Sequence, residues 1–294
     1  MNVSILITAY KEPGTIGPAM EAFITQLPED SEIIVVCPDP ETTAVVHQYA
    51  HRYPYIRHVR DPQKGKPAAL NIALHTVRGR LVVLSDGDVQ VGENALVTLL
   101  APFQDRRVGA VSGHPVSVNS RQTLLGYWSH LLTDSIHQMR LHRDTKRKFL
   151  LCSGYFFAVR RELINRVPED ALAEDAVISH LIAQQGYQIR YSPESLVYVK
   201  YPTSYRDWLK QKVRSAGGYA QDYLRSSPYR MRSARLEFLQ GAKPALTYPR
   251  SLKEFGWSLL LFSARLHLWA LVWFNVRVRH LPLGTLWQRV ETTK

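Results

Sequence analysis

The residues with the clearest chemistry are two carboxylates that follow a short apolar run. Residues 81–84 are Leu-Val-Val-Leu, and Ser85, Asp86, Gly87 and Asp88 come directly after them. The run is too short for a helix and predicts a buried strand, which would deliver both carboxylates to the ligand-binding edge of an α/β sheet. Gly87 lets a bulky anion approach, and two carboxylates suit a hard divalent cation that also holds phosphate oxygens. The alternative is a solvated Asp-Gly turn.

Strands and helices alternate before this turn. Strands are predicted over residues 3–10, 32–37 and 55–59, and helices over residues 16–27, 41–52 and 68–77. This alternation is typical of a mostly parallel sheet of Rossmann type. No GxGxxG follows the first strand, so an ordinary dinucleotide site is not expected.

The later part of the chain adds two further groups of polar residues. Helices are predicted over residues 93–103, 124–147, 173–185 and 208–223, and strands over residues 108–113, 187–191 and 196–199. Residues 150–159 are predicted to form a strand or a hairpin. Glu174 and Asp175 lie in the first turn of a helix, where the helix dipole favours negative charge, so simple capping would also explain them. Gln211 and Arg214 are three residues apart and therefore share one helix face.

Composition limits the possible partners. The chain has 294 residues and a net charge of +12, which indicates phosphorylated ligands, anionic lipid headgroups or nucleic acid. Its cationic residues are not interleaved with aromatic ones on a single face, so no nucleic-acid platform is expected. Cys37 and Cys152 have no CxxC spacing and are predicted to be buried thiols in a reducing compartment. The N-terminus lacks a signal-type sequence, which favours the cytoplasm.

The ordered set of motifs resembles the inverting family 2 glycosyltransferases of GT-A fold. The matching pieces extend over about residues 3–220 and are Thr-Ala-Tyr-Lys-Glu at 8–12, Lys-Gly-Lys-Pro-Ala-Ala-Leu-Asn at 64–71, Asp-Gly-Asp at 86–88, Ser-Gly-Tyr at 153–155, Glu-Asp at 174–175 and Gln-Lys-Val-Arg at 211–214. The resemblance implies an α/β, Rossmann-like, mostly parallel mixed sheet flanked by helices. It also implies metal-dependent inverting transfer from a nucleotide-diphosphate sugar, such as a UDP-sugar, to a hydroxyl of a glycan or a lipid-linked acceptor.

The resemblance also assigns residues to the nucleotide sugar. These are Ala9, Tyr10, Glu12, Asp39, Lys66, Asp86, Gly87, Gln211 and Arg214. The loop after the first strand and Asp39 would line the nucleobase pocket, although relatives often carry two acidic residues where this chain has Cys37-Pro38-Asp39. Lys66 would reach the nucleotide side, its alternative being a surface lysine. Arg214 would offer fork-shaped donors to phosphate oxygens.

The remaining assignments concern the metal, the base and the acceptor. Asp88, with Asp86, would hold Mg²⁺ or Mn²⁺, which stabilises the charge of the leaving diphosphate. Asp175 matches the family's catalytic base, a role that a partly desolvated carboxylate can fill near neutral pH. Ser153, Gly154, Tyr155 and Glu174 would face the acceptor.

Three other polar residues bear on the site. Ser215 stands where processive synthases carry a tryptophan, which favours a single transfer. His114 and His180 are expected to have packing or surface roles rather than to bind metal.

The tail differs in composition from the rest of the chain. A boundary near residue 224 would separate a catalytic domain (1–224, with a nucleotide-sugar half at about 1–115 and an acceptor half at about 116–224) from a helical, apolar appendage (225–294). Residues 225–232 are basic and loop-like. Residues 255–278 are apolar and long enough to span a bilayer, but Arg265 and His267 would lie near its centre, where an arginine costs about 2.5–3.5 kcal/mol.

The appendage is therefore expected to lie in the membrane interface or to pack in a homo-oligomer, rather than to span the bilayer. The predicted location is cytoplasmic, peripheral on the inner face of the cell membrane. Two alternatives remain open. One is a polyprenyl-phosphate sugar synthase, whose phosphate acceptor needs no base, and the other is a non-catalytic basic membrane-binding module.

Overall fold

A mixed sheet of eight strands is the framework of the computed structural model, which describes residues 2–219, 221–229, 244–278, 290 and 292–293. The strands are β1 (Val3–Thr8), β2 (Ser31–Cys37), β3 (Ile56–Arg60), β4 (Leu81–Asp86), β5 (Val89–Val91), β6 (Val108–Ser117), β7 (Phe156–Arg160) and β8 (Gln188–Val199). Their order is β3-β2-β1-β4-β7-β6-β8-β5. The first four strands in this order are mutually parallel, and β7 is antiparallel to both its neighbours.

Helices flank this sheet. They are α1 (Ile16–Ile24), α2 (Pro40–Arg52), α3 (Lys66–Thr76), α4 (Ala95–Leu100), α5 (Leu124–Thr145), α6 (Glu174–Gln184), α7 (Tyr205–Gly218), α8 (Asp222–Arg225) and α9 (Leu252–Trp273). The expected Rossmann-like, mostly parallel mixed sheet with flanking helices and a C-terminal apolar helix is confirmed.

The parallel half of the sheet is buried on both faces. Successive residues of a strand point to opposite faces, so Leu6 and Ile34 belong to one apolar cluster while Ile5 and Ile33 belong to the other. All of β2 is buried. Such strands are continuous apolar runs, which is why their positions were predictable from the sequence.

The segment 150–159, predicted as a strand or hairpin, is a strand only in its second half, since β7 begins at Phe156. The backbone N–H groups before it are bonded to side chains instead of a neighbouring strand. Cys152 donates to the hydroxyl of Ser179, Ser153 to that of Ser112, and Gly154 to a carboxylate of α6.

Other elements also differ from their predicted bounds. The two strands expected at 187–191 and 196–199 are one strand, β8, which bulges against β6 at residues 192–195, where Pro193 cannot donate to a ladder. The helix expected to reach residue 223 ends at Gly218, and α8 follows separately. The short strand β5 was not predicted.

The appendage helix α9 packs on α5 and α7. Arg121, just before α5, donates to both carboxylate oxygens of Glu254 at 2.8 and 3.0 Å. The indole of Trp128 donates to the carbonyl of Trp257 at 2.7 Å. The last part of the predicted basic loop at 225–232 belongs to residues 230–243, which lie outside the described residues. The domain boundary near 224 stays a prediction.

Candidate active site

Two loops meet at the carboxyl edge of the central strands. Because β1 and β4 are parallel with Thr8 opposite Asp86, the loop after β1 lies beside the Asp-Gly-Asp turn. The N–H of Gly87 donates to the carbonyl of Thr8 at 2.9 Å. A Cβ on Gly87 would lie 2.5 Å from Oε2 of Glu12 and 2.8 Å from Cβ of Ala9. Gly87 therefore permits the close approach of the two loops.

These loops open into a cleft of about 1560 Å³ that brings together most of the predicted site. The predicted residues that line it are Ala9, Tyr10, Glu12, Lys66, Asp86, Asp88, Ser153, Gly154, Tyr155, Glu174, Asp175, Gln211 and Arg214. Asp39 and Gly87 do not line it. The structure thus gathers residues from both halves of the predicted catalytic domain around one space.

Asp39 supports the loop after β1, and its predicted contact with the nucleobase stays a prediction. It is buried, caps α2 by accepting from the N–H and hydroxyl of Thr42, and accepts from the N–H of Lys11 at 2.7 Å. These bonds hold the loop after β1 in place. Asp61, which follows β3, lines the cleft instead, and burial raises its pKa. Asp61 was not predicted as a site residue, although its position after a parallel strand indicates a place at the ligand-binding edge of the sheet.

Lys66 connects the two halves of the site. Its ammonium lies 2.6 Å from Oδ1 of Asp86 and 2.7 Å from Oε1 of Glu174. Lys66 is the first residue of α3, and the preceding Gly65 has φ of 98°, a conformation that favours glycine. Burial alone would raise the pKa of Glu174, but the charge of Lys66 brings it below its usual value. Lys66 is thus a partly buried cation between two carboxylates and not a freely solvated surface lysine.

Asp86 and Asp88 form an electronegative pair. Burial and the charge of Asp88 raise the pKa of Asp86, against the opposing effect of Lys66. Burial and the charges of the same two carboxylates raise the pKa of the Tyr155 hydroxyl. Within the described residues, no three or more His, Cys, Asp or Glu side chains are placed to hold a metal ion. The protein would therefore supply two hard oxygen ligands, which fit Mg²⁺ or Mn²⁺ when a diphosphate supplies others.

Asp175 lies deep in the cleft at the N-terminal end of α6. Its Oδ2 accepts from the N–H of Gly154 at 3.0 Å, and its Oδ1 accepts from the N–H of Ala176 at 2.9 Å. A Cβ on Gly154 would lie 3.2 Å from the same Oδ2, so the glycine admits the carboxylate. Burial and the charge of Glu174 raise the pKa of Asp175 to about 6. This value suits a group that exchanges protons near neutral pH.

Two side-chain amides hold the segment that leads to Asp175. Asn71 on α3 donates to the carbonyl of Val167 and accepts from its N–H, each at 2.8 Å. Gln221 accepts from the N–H of Leu172 at 2.9 Å and donates to the carbonyl of Asp170 at 2.7 Å. Neither amide was assigned a role from the sequence, because each forms hydrogen bonds with backbone groups that are distant in the chain.

The face of α7 that carries Gln211 and Arg214 lines the cleft, as their spacing predicted. Nε2 of Gln211 donates to the hydroxyl of Tyr155 at 3.4 Å. Oε1 of Gln211 is buried and, within the described residues, has no hydrogen-bond partner. The charge of Arg214 opposes the rise in the pKa of Tyr155 and adds to the lowering of the pKa of Glu174. This face thus presents a cation and an unused acceptor to the cleft.

The two histidines weighed in the sequence lie in different places. His180 is buried away from the cleft, with Nδ1 2.6 Å from the hydroxyl of Ser227 and its ring against Phe149. His114 lines the cleft and stacks on His137, with ring centroids 4.0 Å apart. The packing role predicted for His180 agrees with these contacts.

A mixed sheet with paired carboxylates at its parallel edge, an arginine-bearing helix lining the same cleft and a separate half-buried carboxylate is the arrangement expected of a glycosyltransferase of GT-A fold. Residues 1–218 match the family described as "Glycosyltransferase like family 2", and the chain belongs to this family.

Curated relatives carry related activities in their names. The chain is 29% identical over 230 residues to the probable glycosyltransferase YdaM of Bacillus subtilis, covering 74% of this chain and 55% of that protein. It is 24% identical over 246 residues to the poly-beta-1,6-N-acetyl-D-glucosamine synthase of Staphylococcus aureus, covering 80% of this chain and 58% of that protein. The chain thus spans little more than half the length of these relatives.

Solved structures share the fold. The mannosyltransferase PcManGT of Pyrobaculum calidifontis, in complex with GDP-Man and Mn²⁺, superposes with a TM-score of 0.62 at 22% identity, covering 97% of this chain and 82% of that one. GalNAc-T7 with UDP, GalNAc and Mn²⁺ superposes with a TM-score of 0.54 at 18% identity, covering 83% of this chain and 54% of that one.

Proposed function

We propose that this protein is a metal-dependent inverting glycosyltransferase that moves a sugar from a nucleotide-diphosphate sugar to a hydroxyl of a glycan or a lipid-linked acceptor. The observation that carries the proposal is the position of Lys66, whose ammonium contacts both Asp86 and Glu174. Lys66 thus links Asp86, on the proposed donor side, to Glu174, which precedes the proposed base Asp175 in the chain. Donor and acceptor chemistry can therefore meet in one cleft.

Asp175 takes the proton of the acceptor hydroxyl in this mechanism. The hydroxyl oxygen then forms its bond to the anomeric carbon while the bond from that carbon to the diphosphate oxygen breaks. The nucleoside diphosphate leaves with the electron pair of the broken bond. The configuration at the anomeric carbon inverts because a single displacement occurs. The Gly154 N–H fixes the orientation of the Asp175 carboxylate, as a base needs a defined geometry for proton transfer.

The donor side neutralises negative charge. Asp88 and Asp86 would hold Mg²⁺ or Mn²⁺, and the bound metal supplies Lewis-acid stabilisation of the leaving diphosphate. Arg214 on α7 offers paired donors to phosphate oxygens, and Gln211 beside it offers an amide. Both structural neighbours were solved with Mn²⁺ and with a nucleotide sugar or its components, which supports a donor and a divalent metal of this kind.

The test is nucleotide release from a panel of UDP-, GDP- and dTDP-sugars, with bacterial membrane extract as acceptor source and with Mn²⁺, Mg²⁺ or EDTA. We expect one donor to be turned over at least about tenfold faster with metal than with EDTA, because the leaving diphosphate needs charge stabilisation. Asp88→Ala should show the EDTA rate even with metal, whereas Glu29→Gln, an exposed carboxylate change, should match wild type. Equal rates with metal and EDTA would contradict a metal-dependent transfer.

We also propose that α9 attaches the protein to the inner face of the cell membrane. Within the described residues, α9 alone has the length and composition to cross a bilayer, with a mean hydropathy of 1.4. It packs on the catalytic domain through one face and exposes Leu259 and Leu260, each 52% accessible, and Trp273, 61% accessible. An apolar face on a chain of net charge +12 suits an anionic membrane interface.

Sedimentation with vesicles tests this attachment. The double variant Leu259→Glu with Leu260→Glu should bind vesicles of anionic lipid roughly tenfold more weakly, because two apolar contacts become charged. Val97→Glu on α4, the same type of change at an exposed residue, should bind as wild type does. If the double variant binds unchanged but turns a dimer into a monomer, the exposed face is an oligomer interface instead.

A further inference from the structure

Arg140 is a buried charge that the mechanism above does not use. It lies on α5, is 7% exposed and lines the cleft. Its Nε donates to the carbonyl of Leu151 at 3.2 Å, and its guanidinium lies 5.9 Å from the centre of the Tyr191 ring. No ion pair within the described part of the chain includes Arg140. Because a buried arginine stays charged and an uncompensated buried charge is unfavourable, an anion bound beside Arg140 would stabilise it.

The neighbouring side chains can adapt to such an anion. His114 and His137 stack with an angle of 10° between their rings. Nδ1 of His114 donates to the carbonyl of Pro193 at 2.9 Å, and Nδ1 of His137 lies 2.7 Å from the Tyr191 hydroxyl. Burial lowers the pKa of both rings, and the charge of His114 lowers that of His137 further. The charge of Arg140 adds a smaller lowering at both, whereas the charge of Asp134 on α5 and, for His114, the bond to Pro193 oppose it. An anion at Arg140 would offset its charge and favour protonation of the rings.

The cleft-lining face of α5 changes character along its length. Leu125, Leu132 and Ile136 line the cleft in the N-terminal part, and Arg140 and Arg143 line it further on. These positions follow helical spacing and share one face, with apolar side chains at one end and cations at the other. Ser129, Thr133 and Ser135 also line the cleft beside the apolar positions. The carbonyl of Leu151 accepts from Arg140, and Gly154, three residues further on, donates to Asp175, so the cationic end lies near the proposed base.

We propose that Arg140, with His114 and His137, forms a phosphate-binding subsite in the acceptor half of the cleft. It would take a non-reacting phosphate group of an acceptor whose hydroxyl faces Asp175. This inference rests on the proposed function, since it names the class of acceptor for the same site. The phosphate can come from an amphiphile, whose apolar part would follow the apolar end of the α5 stripe, or from a small phosphorylated acceptor.

The test is a pH titration of the histidine ring signals by NMR, without donor and without metal, in sodium chloride or in sodium phosphate of equal ionic strength. The signals are assigned with His114→Gln and His137→Gln. In wild type, phosphate should raise the pKa of the His114 and His137 rings by about 0.5 or more relative to chloride. Arg140→Gln should remove this shift, and Arg140→Lys should keep part of it, which also controls for folding. Lys146→Gln, an exposed charge near the end of the same helix, should behave as wild type.

A second titration, with decyl phosphate below its micelle concentration, distinguishes an amphiphile from a small phosphorylated acceptor as the source of the phosphate. Half-saturation at a concentration at least about tenfold lower than for inorganic phosphate indicates an amphiphile. Equal concentrations indicate a small phosphorylated acceptor, and both results support the subsite. An equal shift in wild type and Arg140→Gln, or no shift in wild type, would overturn it. Since no donor is present, either result is independent of whether sugar transfer is observed.

Discussion

Replacing Asp175 with asparagine is expected to reduce sugar transfer by about 10²–10⁴-fold while the donor still binds. Asparagine keeps the shape of the side chain, and its carbonyl oxygen can still accept from the Gly154 N–H that now bonds Oδ2. It cannot take a proton from the acceptor hydroxyl. The measurement is the initial rate of transfer beside the affinity for the donor, with Asp170→Asn as the control because that carboxylate is exposed on the same segment.

The pH dependence of wild type should report the same group. Since the pKa of Asp175 is raised to about 6 by burial and the charge of Glu174, the rate should rise with pH through about 6 as the carboxylate forms. The folded protein holds this proton more tightly than the unfolded chain. The resulting stability is therefore complete below the unfolded value of 3.8 and is lost as pH rises through about 6.

Asp175→Asn should consequently be inactive but no less stable than wild type. At pH 7.5 its free energy of unfolding should be equal or higher by roughly 1–3 kcal/mol, because it removes a buried charge. Thermal unfolding measures this. A variant that is folded and still fast would indicate a phosphate acceptor that needs no base, the alternative of a polyprenyl-phosphate sugar synthase.

Features that depend on local chemistry were predictable from the sequence. The strand before Asp86 and Asp88 is an uninterrupted apolar run, and the turn follows it directly, so both carboxylates were placed at the sheet edge. The spacing of Gln211 and Arg214 fixes a shared helix face whatever the rest of the fold does. In these cases a few neighbouring residues contain all the information required.

Features that depend on distant contacts were not predictable in this way. Asn71 holds a backbone segment 96 residues away, and Gln221 holds one 49 residues away. The segment before β7 reads as a strand, yet its N–H groups bond to side chains of β6 and α6. The burial of Arg140, which makes its charge relevant to ligand binding, cannot be read from a single sequence. The bonds of Asp39 to Thr42 and Lys11 likewise join segments that are distant in the chain or depend on the folded loop.

Replacing Lys66 with methionine should weaken both the fold and the reaction. Asp86 and Glu174 would lose the cation that lies between them, and their side chains are only 24% and 13% exposed. Removing one partner of a buried ion pair costs about 3–5 kcal/mol, and the partial exposure of all three side chains lowers the expected cost to about 2–3 kcal/mol. Lys148→Met, an exposed lysine, is the control. Denaturant unfolding at pH 7 measures the difference.

The effect of Lys66→Met on catalysis should have a distinct pH signature. The charge of Lys66 lowers the pKa of Asp175, so without it that pKa rises above 6 and the acidic limb of the rate profile moves to higher pH. Transfer at pH 7 should fall by about 100-fold from this shift together with the lost charge beside the donor. Lys66→Arg keeps the charge and should restore the limb. A lower rate with an unmoved limb would mean that Lys66 acts on the donor alone, and that the two halves of the cleft are not coupled through its ammonium.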